Sequence, residues 1–276
     1  MNEEIKFFDS HCHLNMEEFS HDVADALSCA HDAGVRRAML VACDEPGGAA
    51  AVLLSERYKE RGVELMASVG IHPHEAASAA KGLPDGLQSA SRSEKVSAIG
   101  ETGLDYYYDN SPRELQRRVF EIQLELASAV KKPIIIHLRD SKERRAGDAY
   151  GEAMSIMKDY PDLNGVIHCF SGNIDDARSA LDMGFYISFA GPITYPKATE
   201  LREAAVYIPM DRILCETDSP YLAPQSKRGK RNEPAFVRDV YAKIAEIRGI
   251  SLEKLAKAVW RNGENLFGPS HCGSDV

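Results

Sequence analysis

Apolar residues along this chain fall into eight short runs bounded by turn residues. They are Lys6 to His11, Arg36 to Cys43, Glu64 to Gly70, Val96 to Glu101, Pro133 to His137, Gly165 to Cys169, Phe185 to Phe189 and Ile213 to Glu216. Several are nearly continuous in Val, Ile, Leu, Phe, Met or Ala, the pattern of strands buried on both faces of a parallel sheet. Between them the polar and apolar positions follow a helical period over Asp22 to His31, Pro46 to Arg61, Pro112 to Lys131, Asp175 to Met183 and Glu233 to Arg248. Glycines 34, 62, 184 and 249 stand where four of these should end, and Ser111-Pro112 resembles a cap followed by proline at the first helical position. Leu252 to Trp260 and Glu264 to Phe267 are read as two closing helical pieces.

Strand and helix alternating through eight cycles predict an α/β fold, a TIM (β/α)₈ barrel of the usual size of about 250 residues. A doubly wound open sheet is the competing architecture. The barrel is expected over residues 1–268, with 269–276 a disordered tail whose His271 and Cys272 carry no role.

The chain has 276 residues and a formal charge of −9, which argues against a general nucleic-acid coat protein. Six cysteines are scattered without a CxxC pair, as in a reducing compartment. No signal-peptide pattern and no run of membrane-spanning length is present, so a cytoplasmic protein is expected. A monomer is favoured.

In a barrel the chemistry belongs at the C-terminal strand ends. His11 and His13 there are separated by one residue, so in an extended strand they share a face with Cα atoms about 6.6 to 6.8 Å apart, while Cys12 points away. The other strand ends deliver His72 and His74, Glu101, His137, His168 and Glu216-Thr217-Asp218. Such groups gathered at one rim need a metal or a dense ion-pair network to offset their desolvation. Four histidines and two carboxylates exceed one tetrahedral zinc and suit two divalent ions bridged by a carboxylate.

The motifs DSHCHLN (9–15), GIHPHE (70–75), IGETGLDYY (99–107), PIIIHLRD (133–140), HCFSG (168–172), ETDSPYLAP (216–224) and RGKRNEP (228–234) give the chain a further reading. It resembles the TatD family of metal-dependent deoxyribonucleases, within the amidohydrolase-like superfamily. The resemblance implies metal ligation by His11, His13, Glu101, His137, His168 and Asp218, and magnesium-supported 3'-5' exonuclease activity on single-stranded DNA ends. Glu101 occupies the strand-four position where many relatives in the superfamily carry a carboxylated lysine. The segment Lys142 to Gly151, with Arg144-Arg145, is more polar than that pattern leads one to expect.

On this reading Glu101 bridges two ions; His11, His13 and Asp218 hold one, and His137 and His168 the other. Asp218 also orients the attacking water, and His72 contacts the scissile phosphate or protonates the leaving group. His74, Arg139, Lys227, Arg228 and Lys230 are the expected substrate contacts, and Phe170, Tyr106 and Tyr221 could stack on bases. Histidine-rich ligation suits zinc, manganese or iron, whereas magnesium prefers oxygen. The alternatives are a hydrolase of a small amide, lactone or phosphotriester on the same platform, and a non-catalytic binder of phosphate or nucleic acid. The rim cations favour an anionic substrate over a neutral one.

Overall fold

The structure is a computed structural model that describes residues 4–143 and 148–268. Arg144, Arg145 and the expected tail at 269–276 lie outside the described residues. Strands and helices alternate as β1 (Phe7–Cys12), α1 (Val23–Asp32), β2 (Val35–Leu40), α2 (Glu45–Arg57), β3 (Glu64–Val69), α3 (Asp85–Ser91), β4 (Ala98–Asp105) and α4 (Arg113–Val130). The second half continues as β5 (Ile134–Arg139), α5 (Ala149–Met157), β6 (Gly165–His168), α6 (Ile174–Asp182), β7 (Tyr186–Phe189), α7 (Thr199–Tyr207), β8 (Ile213–Cys215), α8 (Val237–Arg248) and α9 (Leu252–Phe267).

Each strand pairs in parallel with the next in chain order, β1 through β8. The two outer strands then meet just past their paired cores. Asp218 N donates to His11 O at 2.9 Å, and His13 N donates to Ser219 O at 2.8 Å. That closure makes a TIM barrel and excludes the open sheet. The all-apolar runs have the cause assigned to them: Ile134, Ile135 and Ile136 are fully buried, between the barrel interior and the helices.

Local chemistry sets the helix ends. Asn173 and Asp176 form a reciprocal capping box at the start of α6, and Ser251 caps α9 by accepting from Lys254 N. The two closing pieces predicted from sequence are one continuous helix, α9, running through Gly263. The glycine is there for packing rather than for a break. A Cβ at position 263 would lie 2.5 Å from the Phe8 ring, so its absence lets α9 seat against β1.

Two buried glutamines of α4 fix the loops that carry the chemistry. Gln116 accepts from Asp105 N at 2.8 Å and donates to Asp105 O and Ser111 O. Gln123 accepts from Ile71 N at 2.8 Å and donates to Ile71 O and to Thr102 Oγ1. It thereby replaces the sheet partners that the chain loses after β3. Gln123→Leu leaves both polar groups of Ile71 buried and unpaired, and should cost about 2 to 4 kcal/mol in a urea unfolding experiment.

Candidate metal centre

At the C-terminal rim the side chains of β1, β4, β5, β6 and the segment after β8 converge. His11 and His13 are on one face as the alternation predicts, with their Nε2 atoms 3.1 Å apart. Asp218 Oδ1 stands 3.3 Å from His13 Nε2 and 3.7 Å from His11 Nε2. Asp218 takes a left-handed backbone, φ +59°, three residues past the end of β8, a conformation that aspartate tolerates better than most residues. Cys12 points away, donating to Met39 O.

A second group lies alongside. His137 Nδ1 and His168 Nε2 are 3.1 Å apart. Glu101 joins the two groups through different oxygens. Its Oε1 is 2.9 Å from His137 Nδ1 and 2.6 Å from His168 Nε2, while its Oε2 is 3.3 Å from His11 Nε2 and 3.7 Å from His13 Nε2. Burial alone would raise the Glu101 carboxyl, but its imidazole neighbours, His168 foremost, outweigh it and hold the group well below the usual range. Asp218 is likewise lowered against its burial, by His13, His11 and His168.

The donor set fits a metal, and the far side of each ring shows why. His13 Nδ1 faces Val41 O at 3.0 Å, His168 Nδ1 faces Glu216 Oε1 at 3.2 Å, and His137 Nε2 faces Asp105 Oδ2 at 3.1 Å. Each of these oxygens accepts the ring proton and leaves the other nitrogen a bare lone pair turned inward. Facing lone pairs about 3 Å apart repel unless a cation or a proton lies among them. His11 Nδ1 and Glu216 Oε2, by contrast, are both buried without a hydrogen-bond partner.

His72 differs in kind from these four. Its Nδ1 accepts from His74 N at 3.0 Å, so the neutral ring carries its proton on Nε2, aimed at Glu101 Oε1 3.3 Å away. It offers a donor where the other rings offer lone pairs. Burial pushes its pKa down to about 4, with Glu101 opposing. Because that value lies below the ordinary 6.5, the neutral ring stabilises the fold above pH 6.5, and the contribution is lost as pH falls toward 4. Between pH 7 and 4.5 the metal-free parent should therefore lose about 2 to 3 kcal/mol more than His72→Asn, read as the difference in unfolding free energies.

Of two further residues of the centre, Asp105 was not singled out from sequence and Glu216 was placed at its strand end without a role. Glu101 was taken as the end of its strand, but β4 continues to Asp105, two alternations further on the same face. Asp105 Oδ2 accepts from His74 Nε2 at 2.9 Å as well as facing His137, and its Oδ1 accepts from Tyr107 N and Tyr108 N. These bonds hold its carboxyl far below the usual range in spite of burial. Room for the β4 and β5 backbones to close here comes from Gly103, whose φ is +141° and where a Cβ would lie 2.0 Å from His137 O. The other residue, given no role from sequence, is Glu216, fully buried, which accepts from Cys169 N at 2.7 Å. The signal for Asp105 was its i+4 position from Glu101; for Glu216 it was a carboxylate at the very end of a buried strand.

The structure thus gathers His11, His13, His72, His74, Glu101, His137, His168 and Asp218 at one place. Three of the four expected basic contacts beyond the histidines lie against aromatic rings. Arg139 lies over Tyr107, Lys227 over Phe236 and Arg228 over Tyr195, while Lys230 is exposed. Arg231, at the end of the same basic run, is paired with Asp22 and Glu233. Of the three rings proposed to stack on bases, Tyr106 and Phe170 are buried, Tyr106 donating to Glu152 and Phe170 packing on Tyr150 and Phe189. They are packing residues, and only Tyr221 is exposed.

Comparison with known proteins agrees over nearly the whole chain. Residues 8–268 match the family model described as TatD related DNase. An uncharacterized metal-dependent hydrolase of Bacillus subtilis, YabD, is 38% identical over 262 residues, covering 94% of this chain and 98% of the relative. A protein of Pantoea ananatis named 3'-5' ssDNA/RNA exonuclease TatD is 31% identical, over 95% of this chain and 99% of its own. The crystal structure of YjjV, a TatD homolog of Escherichia coli, superposes with a TM-score of 0.83 at 29% identity, covering 96% of this chain and 98% of that one. No helix among the described residues is long and apolar enough to cross a membrane.

Proposed function

Because the chain belongs to the family of TatD-related DNases and is a metal-dependent hydrolase, we propose that it cleaves phosphodiester bonds at single-stranded DNA ends, working 3' to 5' with two divalent ions. The observation that carries this reading is Glu101, whose two carboxylate oxygens face two separate groups of inward lone pairs. On it, His11, His13 and Asp218 hold one ion, His137 and His168 the other, and Glu101 both. Ions bound there would lower the pKa of a water and neutralise charge on the phosphoryl oxygens.

The remaining roles belong to the chain. Asp218, held in its charged form, accepts a hydrogen bond from the water and orients it; its low pKa makes it a poor base. His72 presents Nε2–H toward the same space and donates to a phosphate oxygen. His74, anchored on Asp105, keeps that loop in place and borders the strand. Arg139, Lys227, Arg228 and Lys230 supply the positive rim that an acidic protein needs in order to attract phosphate. The imidazole-rich set favours manganese or zinc over magnesium.

The deciding experiment is a time course on end-labelled single-stranded DNA with magnesium, manganese or zinc, run beside a panel of lactones, cyclic amides and phosphotriesters. Stepwise shortening from the 3' end that stops on chelation is the expected result. Turnover of a lactone or triester without nuclease activity overturns the proposal in favour of the small-substrate reading.

A further inference from the structure

We propose that the β4–α4 loop carries a nucleotide subsite, in which a base of the substrate strand stacks on Tyr108 and the adjoining phosphate meets Arg139 and Lys142. The proposal rests on the nuclease reading above and adds to it a binding element outside the metal centre. Tyr108 has 64% of its surface exposed, the most of the exposed large apolar and aromatic side chains among the described residues. A tyrosine ring left in water in this way gains from covering its face, and a base offers a flat surface of matching kind.

The ring is neither isolated nor loosely held. Its edge meets Tyr107 at 4.9 Å and His74 at 5.6 Å between centroids, and His74 in turn lies 6.3 Å from the ring of His137. Asp105 fixes this geometry from beneath. One of its oxygens accepts from the amides of Tyr107 and Tyr108, at 3.0 and 2.9 Å, and the other faces His74 and His137. A single buried carboxylate therefore sets both a candidate metal ligand and the exposed ring beside it.

Tyr107 has a different part. Arg139 and Lys142 each lie 5.0 Å from its centroid, so its face is taken by cations rather than left for a base. Both cations are exposed at their own positions, on the strand and the loop just beyond His137. Tyr107 serves as a post that holds two positive charges next to the open ring. An aromatic face with adjacent cations is the pairing that recognises a single-stranded nucleotide irrespective of its sequence.

The test compares a short fluorescein-labelled single strand with the same strand carrying abasic sites throughout. Binding is read by anisotropy with calcium, and hydrolysis separately with manganese. The parent is expected to bind the intact strand about tenfold tighter or more. Tyr108→Ala should erase most of that preference, Tyr108→Trp should keep it, and Lys142→Gln should weaken both strands alike while flattening the salt dependence. All variants are surface changes whose folding is checked by circular dichroism. Preference for the intact strand that survives in Tyr108→Ala, a parent that shows no preference, or a parent that binds neither strand overturns the subsite. Binding with the expected preference but no hydrolysis under any metal overturns the nuclease reading and leaves the subsite standing.

Discussion

Glu101→Gln is expected to lower hydrolysis by about 10³-fold or more while leaving the barrel folded. The two oxygens of Glu101 face different histidine pairs, and a glutamine can present only one oxygen. Its amide nitrogen must then turn a donor toward either His11 and His13 or His137 and His168. Those nitrogens can accept that hydrogen bond, which keeps the fold, but the amide cannot be shared by two cations. The negative charge that offsets them is also lost. Metal content measured on the purified variant should therefore fall along with activity. Undiminished turnover at full metal content would contradict the bridging role.

Glu216→Gln should weaken the binding of both ions, about 10- to 100-fold each, although Glu216 belongs to neither inward-facing group. Cys169 N needs an oxygen at the Oε1 position, 2.7 Å away, so the new amide group must take the place of Oε2. There it replaces a buried, unpartnered carboxylate oxygen by a donor and removes the negative charge behind the two rings. The His11 and His168 rings are stacked at 3.9 Å and 13°, and they belong to different candidate ion sites. Glu216 bonds the His168 ring and has an oxygen within 4.8 Å of a His11 ring nitrogen, so the loss of its charge is felt at a ligand of each. Competition against a fluorescent chelator resolves the two affinities, and a change confined to one site would show that Glu216 orients His168 alone.

The barrel and the gathering of histidines and carboxylates at its rim could be read from the chain because both rest on local rules, while the choice of six ligands among them came from the family resemblance. Parallel strands covered on both faces must be apolar throughout, and two residues one apart on a strand must share a face, as His11 and His13 do. The surroundings could not be read in the same way. Tyr106, Tyr107 and Tyr108 are chemically equal in sequence, and what buries the first and exposes the others is Asp105 catching two successive amides and turning the loop. Gly263 looked like a helix break because its reason, the Phe8 ring, lies more than 250 residues away in the chain. Sequence periodicity reports which face a residue takes; which partner waits on that face is a tertiary fact.

The seam between the first and last strands has a consequence for how the molecule is made. His11 and His13 come from the start of the chain and Asp218 from near its end, and the hydrogen bonds that draw them together are those that shut the barrel. During synthesis no ion can find that trio until the final strand has left the ribosome and docked. Occupancy of the proposed His11–His13–Asp218 site would then require the closed barrel, since a truncated or open chain would carry the histidines without their carboxylate.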